Sequence, residues 1–257
     1  MATPPVLRVV EREYRVWAKL WRGLAFTTFV QPALYLAAMG VGLGGLVDAH
    51  SGSVNGLSYL EFVAPGLLVA SAMQLAAGEA MWPVLAGVKW MRFYEGVIAT
   101  PIEAGEIYGG FIIWTAIRAA FGSSAFLLVA AVVGAVPSWW GILAIPAASL
   151  TAAAFAAPIA AHSIMQETDV SFPMILRLAI LPLFLFSGTF FPISQLPAAL
   201  QPIAVLSPLW HGVELARAAT TGSGNPLAIL GHIAFLCACI AVGSWWAVRR
   251  FNRRLHQ

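Results

Sequence analysis

Long runs of hydrophobic residues alternate with short polar segments along the whole chain. A helix needs about 20 consecutive apolar residues to cross the hydrocarbon core of a bilayer, and six runs offer this length or nearly so. We predict that each run forms one transmembrane helix, with these boundaries: residues 24–47, 58–80, 106–134, 140–162, 171–191 and 226–248. The pattern therefore predicts an all-α integral membrane protein with six spans in a single domain, residues 1–257.

The segment before the first span, residues 1–22, has the periodicity of an amphipathic helix, with an aromatic face and a basic face. Such a helix lies in the headgroup plane, its aromatic face toward the acyl chains and its cations toward lipid phosphates. The alternative is that the basic residues only orient the first span. The residues that we assign to this membrane-surface helix are Arg8, Arg12, Tyr14, Arg15, Trp17, Lys19, Trp21 and Arg22.

A proline-rich segment, residues 192–222, separates the fifth and sixth spans. Its repeated prolines prevent a straight helix across the bilayer. Backbone polar groups at membrane depth must be paired within the protein. We therefore predict that this segment lies at the extracytoplasmic interface or re-enters the membrane part of the way, shielded by protein.

Composition and charge agree with a membrane protein and give its orientation. The chain is 60% hydrophobic and 10% charged, whereas an ordinary soluble domain has about 25% charged residues. Of its 14 basic residues, all but Arg118, Arg177 and Arg217 lie before the first span, in the 81–105 loop or after the last span. Cytoplasmic loops are enriched in Lys and Arg, so both termini are expected in the cytoplasm. The basic residues form no dense stripe, and we expect no nucleic-acid partner.

The predicted cytoplasmic loop, residues 81–105, combines bulky aromatic and charged side chains. We predict a short helix over 84–98 that docks a cytoplasmic protein, because this mixture is typical of interface hot spots. A helix resting on the membrane surface is the alternative, since Trp and Tyr also favour that interface. The residues that we assign to docking are Lys89, Trp90, Arg92, Phe93, Tyr94 and Glu95.

Charged residues within or next to spans are costly and mark candidate functional positions. Arg118 lies deepest, and its candidate partners are Glu79, Glu106 and Glu61. Glu61 lies near the outer end of the second span, where it either meets a cargo headgroup or reaches water. For Arg118 and Glu61 we favour a packing or pairing role over a place in a transport pathway, because buried charges are commonly paired for folding reasons.

The sequence offers no obvious catalytic, metal-binding or ATP-binding constellation. Its five histidines are scattered, with no H-E-x-x-H pair on one helix. A phosphate-binding P-loop requires Gly-Lys-Ser/Thr, but Lys19 is followed by Leu and Lys89 by Trp. We therefore predict no metal, no cofactor and no enzymatic activity on this chain itself.

The order of motifs around the proline-rich segment resembles the ABC-2 type permease family. That family shares an S-G-x-x-F-P turn, a following x-P-x-x-L-Q stretch and a P-L-x-H-x-x-E-x-x-R ending before the last span. The stretch YLEFVAPGLLVASAM, residues 59–73, is most similar to the branch that contains the nodulation-factor exporter permease NodJ. The matching residues at the predicted outer mouth are Ser187, Gly188, Phe191, Pro192, Pro197, Pro208, His211, Glu214 and Arg217.

The resemblance implies the permease half of an ATP-driven exporter in the bacterial plasma (inner) membrane. Members of the family pair as homodimers or paralogous heterodimers, and a separate ATPase subunit binds ATP and Mg²⁺. The loop between spans two and three couples to that ATPase, and the segment between spans five and six caps the outer mouth. The branch implies an amphiphilic cargo, such as a glycolipid, a lipooligosaccharide or a drug. The alternatives are a non-transporting membrane scaffold or immunity protein, and an intramembrane lipid-modifying or proteolytic enzyme.

Overall fold

The computed structural model describes the backbone of residues 4–44, 54 and 56–256, and their side chains apart from 20–28, 31, 41 and 43. Within these residues the fold is almost entirely helical, and an isolated bridge between Val54 and Leu57 is the one β-type pairing. The helices are α1 (Pro5–Ala37), α2 (Tyr59–Val88), α3 (Phe93–Ile98), α4 (Ala104–Val132), α5 (Ala144–Ser163), α6 (Phe172–Phe186), α7 (Gln201–Val205), α8 (Pro208–Thr221) and α9 (Pro226–Leu255).

Four of the described helices are long and apolar enough to cross a bilayer. They are α2, α4, α9 and the helix Trp139–Ser163, which consists of a 3₁₀ turn followed by α5. These helices confirm the apolar runs predicted as spans two, three, four and six. The helix α9 also continues past the predicted end at residue 248 to Leu255, so four arginines lie on its last two turns.

The N-terminal part of the chain forms one helix where the sequence predicts two. α1 is continuous over 33 residues and then continues as a π-helix over Ala38–Gly44. A single glycine such as Gly23 weakens a helix without ending it, which explains the absence of a break between residues 22 and 24. The predicted end of the first span and most of the following polar segment, 45–53, lie outside the described residues.

α1 packs closely on the first turns of α4. A Cβ atom added at Gly110 would lie 2.5 Å from the Cβ of Val9, so only glycine permits this approach. At about 1.5 Å per residue, α1 is about 50 Å long, against about 30 Å of hydrocarbon. α1 is therefore long enough for its N-terminal turns to lie outside the hydrocarbon core, at the membrane surface. The orientation of these turns in the headgroup plane stays a prediction.

The fifth predicted span, 171–191, is helical only over α6, whose middle turn, Leu176–Ile180, is π-helical. Fifteen residues measure about 22 Å, which is shorter than the hydrocarbon core. The helix ends because Gly188 adopts φ +78°, a left-handed conformation that glycine adopts at low cost. The chain then packs against α2, since the carbonyl oxygen of Thr189 would lie 2.8 Å from a Cβ added at Gly66.

The core of the bundle lies where α2, α5 and α8 meet. α5 is rich in buried alanines, including Ala148, Ala152 and Ala156, and small side chains allow helices in a membrane to approach closely. α8 fits into the groove between the other two helices: a Cβ added at Gly212 would lie 2.0 Å from Thr151 Oγ1 of α5. The predicted re-entrant segment thus includes a helix held inside the protein by both neighbours.

Candidate functional site

The predicted docking segment is a turn followed by a short helix, instead of one helix over 84–98. Residues 84–88 complete α2, and the amides of Lys89, Trp90 and Met91 close that helix on carbonyls of its last turn. Arg92 then adopts φ +48° and directs the chain into α3. The left-handed conformation of Arg92 is the physical reason for the break. The composition of the segment does not reveal it.

This turn presents an exposed surface on a buried base. Trp90 and Met91 are 62% and 64% exposed, and the side chains of Arg92 and Glu95 are also largely exposed. We call these four residues the cytoplasmic turn surface, after the side of the membrane that the basic residues predict. Tyr94 points the other way and is buried. Its burial raises the pKa of the phenol, so the hydroxyl stays neutral under physiological conditions.

Tyr94 and Phe93 hold the turn against three long helices. A Cβ added at Gly87 of α2 would lie 2.6 Å from the Tyr94 ring, and that ring lies 6.1 Å from the ring of Phe251 on α9. The guanidinium of Arg12 on α1 lies 3.5 Å from the centroid of the Phe93 ring. The turn is therefore in direct contact with α1, α2 and α9.

The aromatic face of α1 contacts α4, whereas the sequence predicts that it faces acyl chains. Trp17 lies 6.3 Å from Trp114 and 5.1 Å from Phe121, and Tyr14 lies 6.5 Å from Trp114. These partners on α4 supply the apolar surface that explains the difference. Tyr14 nevertheless remains 54% exposed. Among the predicted basic residues, Arg8, Arg15 and Lys19 are exposed, and the side chains of Trp21 and Arg22 lie outside the described ones.

A carboxylate from another loop ties the turn to the end of α9. Glu167 forms ion pairs with Lys89 and with Arg254, the latter at 2.5 Å. A hydrogen bond from Lys89 has the largest effect in lowering the pKa of the Glu167 carboxyl, and a hydrogen bond from Arg254 lowers it further. The bridge is therefore fully formed above the ordinary pKa of a glutamate and is lost as the pH falls through the lowered value. The sequence interpretation missed Glu167, although its place in a short polar loop opposite basic helix ends is a usable signal.

The half-buried cation of α4, Arg118, pairs with Glu79 on α2. Arg118 Nη1 donates to Glu79 Oε1 at 2.6 Å, and the two side chains are only 20% and 22% exposed. The structure thus selects one of the three predicted partners. The others cap helices: Glu106 accepts from the amide of Glu103 at 2.9 Å, and Glu61 accepts from the amide and hydroxyl of Ser58, each at 2.8 Å.

The Glu79–Arg118 pair lines a cavity of about 330 Å³ between α1, α2 and α4. Further polar side chains share its wall, among them Ser71, Gln74 and Ser123. Ser123 Oγ is buried and has no hydrogen-bond partner among the described atoms. A cavity with these groups inside an apolar bundle is suited to a polar group at membrane depth.

At the predicted outer mouth, the motif residue Ser187 and a second serine outside the predicted set, Ser207, join the end of α6 to the start of α8. Ser187 Oγ donates to Ser207 Oγ at 3.1 Å, and Ser207 Oγ accepts from the Leu209 amide at 3.2 Å. Ser207 is therefore the N-cap of α8, and Pro208 follows at the first helical position, where a missing N–H costs nothing. The serine-glycine turn and the later proline are thus parts of one junction.

Arg217 is the central side chain of this region. Nη1 donates to Glu214 Oε1 at 2.6 Å, while Nη2 donates to the carbonyl oxygens of Gly188 at 2.8 Å and Phe62 at 3.3 Å. The guanidinium also lies 4.0 Å from the Phe62 ring centroid. Arg217 therefore connects α8 with α2 and with the turn after α6, which explains the E-x-x-R spacing on one helix face.

Two histidines connect α8 with the last span. His211 Nδ1 and His232 Nδ1 lie 2.8 Å apart, and His211 stacks on Phe235 at 3.8 Å. The sequence interpretation missed His232, because nothing local marks a residue whose partner is 21 positions away. Phe191 and Pro192 are half-buried, and Pro197 is exposed.

We expect Arg217→Lys to destabilise the protein by about 1.5–3 kcal/mol, the usual value of a lost hydrogen bond to a charged group. Lysine keeps the charge beside Glu214 but cannot donate to both carbonyl groups with a planar fork. Thermal unfolding of the purified protein in detergent measures the effect. Arg177→Lys, at an exposed position, is the control and should change stability by less than about 0.5 kcal/mol. Equal stability of the two variants would refute the central role of Arg217.

The chain matches a family model and several curated relatives. The model described as ABC-2 type transporter covers residues 6–220. Nodulation protein J of Rhizobium leguminosarum bv. viciae is 32% identical over 97% of this chain and 94% of that protein. Nodulation protein J of Bradyrhizobium diazoefficiens is 32% identical over 96% and 92%. The inner membrane transport permease YadH of Escherichia coli is 23% identical over 80% and 77%. The resemblance predicted from the motifs is confirmed.

Proposed function

Because the chain belongs to the ABC-2 type transporter family, we propose that it is the permease subunit of an ATP-driven exporter. In this proposal a separate ATPase subunit binds ATP and Mg²⁺, and two permease copies, identical or paralogous, enclose the pathway. The basic residues at both ends of the chain favour cytoplasmic termini in a bacterial inner membrane. The observation that carries the proposal is the cytoplasmic turn surface, with Trp90 exposed above a buried Tyr94.

The cytoplasmic turn surface is the proposed docking site of the ATPase. Trp, Met and Arg side chains are enriched at the centres of protein–protein interfaces, where they become buried when the partner binds. The base under them contacts α1, α2 and α9, and the Glu167 bridge adds a second link to the end of α9. A rigid displacement of the turn would therefore move these helices together.

The same helices hold the proposed outer cap, formed by the turn after α6 and by α8. α2 is linked to α8 through the Phe62 carbonyl and Arg217, and α9 is linked to it through His232 and His211. Movement at the cytoplasmic end of α2 and α9 can thus reach the outer side through two connections, one at Arg217 and one at His211. We propose that closure of the ATPases opens the cap through these routes.

The proposed cargo is an amphiphile, such as a glycolipid, a lipooligosaccharide or a drug. The names of the relatives, Nodulation protein J and transport permease YadH, support transport without naming the cargo of this chain. The polar cavity at Glu79 and Arg118 supports a cargo or lipid with a polar group, because it offers charges, one amide and serine hydroxyls at membrane depth.

Co-expression of the tagged chain with the ATPases encoded near its gene tests the proposal. We expect one of them to co-purify with the chain in detergent and to hydrolyse ATP faster in the complex than alone. An amphiphile that is the cargo should change that rate further. Failure of every candidate ATPase to associate would refute the proposal. Association without any cargo movement in vesicles would instead favour a scaffold.

A further inference from the structure

A second, apolar cavity of about 650 Å³ lies between the 3₁₀ turn before α5, α5 itself, α8 and α9. Its volume is in the usual range of small-molecule sites, about 300–1,000 Å³. Its wall is almost entirely hydrophobic, with Leu143 and Leu150 on one side and Leu215 and Ile233 on the other. Such a wall suits a hydrocarbon chain.

The depth of the cavity corresponds to one leaflet of the membrane. Trp140 forms its rim and is 48% exposed, and tryptophan is enriched at the level of the lipid headgroups. Leu150 lies ten residues further along the helix, about 15 Å deeper, which is half of the hydrocarbon thickness. The loop that precedes Trp140 is on the outer side in the orientation given by the basic residues, so this is the outer leaflet.

A polar pocket of about 240 Å³ adjoins the apolar cavity. The two share Ala218, Gly224 and Ile229 as a common wall. The polar pocket is lined in addition by charged and hydrogen-bonding residues from α8, the following turn and α9, which are Glu214, Arg217, Thr221, Ser223, Asn225 and His232. An apolar compartment next to a polar one, at headgroup depth, matches the shape of a lipid.

The groups in the polar pocket favour one kind of headgroup. Arg217 contacts Oε1 of Glu214, yet the Glu214 side chain remains 35% exposed and can accept from a cation. Asn225 Oδ1 accepts from the Leu227 amide at 2.9 Å, which leaves its NH₂ group to donate. Ser223 Oγ is already hydrogen-bonded to Thr221 Oγ1 at 2.7 Å. The pocket can therefore hold an ammonium group at Glu214 and a phosphate group at the Asn225 amide.

We propose that this pair of cavities binds one outer-leaflet phospholipid with an ammonium headgroup, of the phosphatidylethanolamine class. An acyl chain occupies the apolar cavity, and the headgroup reaches across Gly224 into the polar pocket. The bound lipid joins α5, α8 and α9 at the outer end of the bundle. The inference concerns a lipid of the surrounding membrane and does not depend on the exporter proposal.

Native mass spectrometry of the purified full chain, titrated with palmitoyl-oleoyl phosphatidylethanolamine, measures the binding. Ala218→Phe places a large side chain in the wall common to both cavities and should weaken binding about tenfold, equivalent to about two methylene groups displaced from the site. Ala238→Phe is the matched control, because Ala238 is exposed on the same helix as Ile229 and lines neither cavity. It should bind like the wild type.

Headgroup selectivity is the second measurement. The wild type should bind phosphatidylethanolamine more tightly than phosphatidylglycerol of the same acyl chains, and Glu214→Gln should remove this preference, because the amide keeps the shape but lacks the charge. Equal binding by Ala218→Phe and the wild type would overturn the proposal. So would equal losses in Ala218→Phe and Ala238→Phe, or a preference for phosphatidylglycerol in the wild type.

Discussion

The double variant Trp90→Ala/Arg92→Glu is expected to bind the proposed ATPase partner about a thousandfold more weakly than the wild type does. Each of these side chains is exposed on the cytoplasmic turn surface, and hot-spot residues of this kind contribute about 2 kcal/mol or more to an interface. Charge reversal at residue 92 adds repulsion if the partner presents an acidic group there. Co-purification at graded ATPase concentrations measures the change.

Folding of the variant should be unaffected, because the buried base of the turn is untouched. Tyr94 and its contacts with Gly87 and Phe251 remain, so thermal unfolding should match the wild type within about 0.5 kcal/mol. Trp139→Ala is the control for loss of an exposed tryptophan, since Trp139 is 76% exposed and lies on the predicted outer side. Full ATPase binding by the double variant would place the docking surface elsewhere.

Removal of one partner of the Glu79–Arg118 pair is expected to have the largest effect on stability. Arg118→Ala leaves the carboxylate of Glu79 without its cation inside the bundle, and Glu79→Ala leaves the guanidinium without its anion. Removal of one partner from a fully buried pair costs about 3–5 kcal/mol, and this half-buried pair should lie near the lower value, about 3 kcal/mol. Unfolding of the purified protein in mixed micelles measures the change. Arg177→Ala, at an exposed position, should cost less than about 0.5 kcal/mol.

A charge exchange separates the pairing role of these residues from a role in transport. The double variant Glu79→Arg/Arg118→Glu keeps one cation and one anion within reach of each other and should recover a large part of the lost stability. If the cavity also contacts cargo, the recovered protein should still transport poorly, because the cation and the anion have exchanged positions in the cavity wall. Stability no better than that of the single variants would contradict the pairing, and full transport by the exchange would restrict the pair to folding.

The apolar runs were sufficient to locate α2, α4, α5 and α9, because the bilayer imposes length and composition on each span. Boundaries were less predictable, since they depend on backbone conformation at single residues. Arg92 in the left-handed region divides the predicted 84–98 helix, and Gly188 in the same region ends α6 before it can cross. The predicted end of the second span at residue 80 was too early, because α2 continues through Pro83 to Val88. A span tolerates proline when neighbouring helices satisfy the freed carbonyl group.

Pairings between distant residues were the least predictable part of the candidate site. From the sequence alone, Arg118 has three equivalent candidate partners, Glu79, Glu106 and Glu61. Only the packing of α2 on α4 selects Glu79. Glu167 and His232 were missed for the same reason. The E-x-x-R spacing of Glu214 and Arg217, in contrast, was readable, because residues three apart on a helix share a face.

Transport in reconstituted vesicles tests the central claim most directly. The permease and its co-purified ATPase are inserted into vesicles with a fluorescent amphiphile, and ATP is supplied on the side of the ATPase. The account predicts movement of the amphiphile to the opposite leaflet or lumen that requires ATP, stops with a hydrolysis-deficient ATPase and is lost in Trp90→Ala/Arg92→Glu. Movement at the same rate without ATP, or none with a fully active ATPase bound and a range of amphiphiles tested, would contradict it.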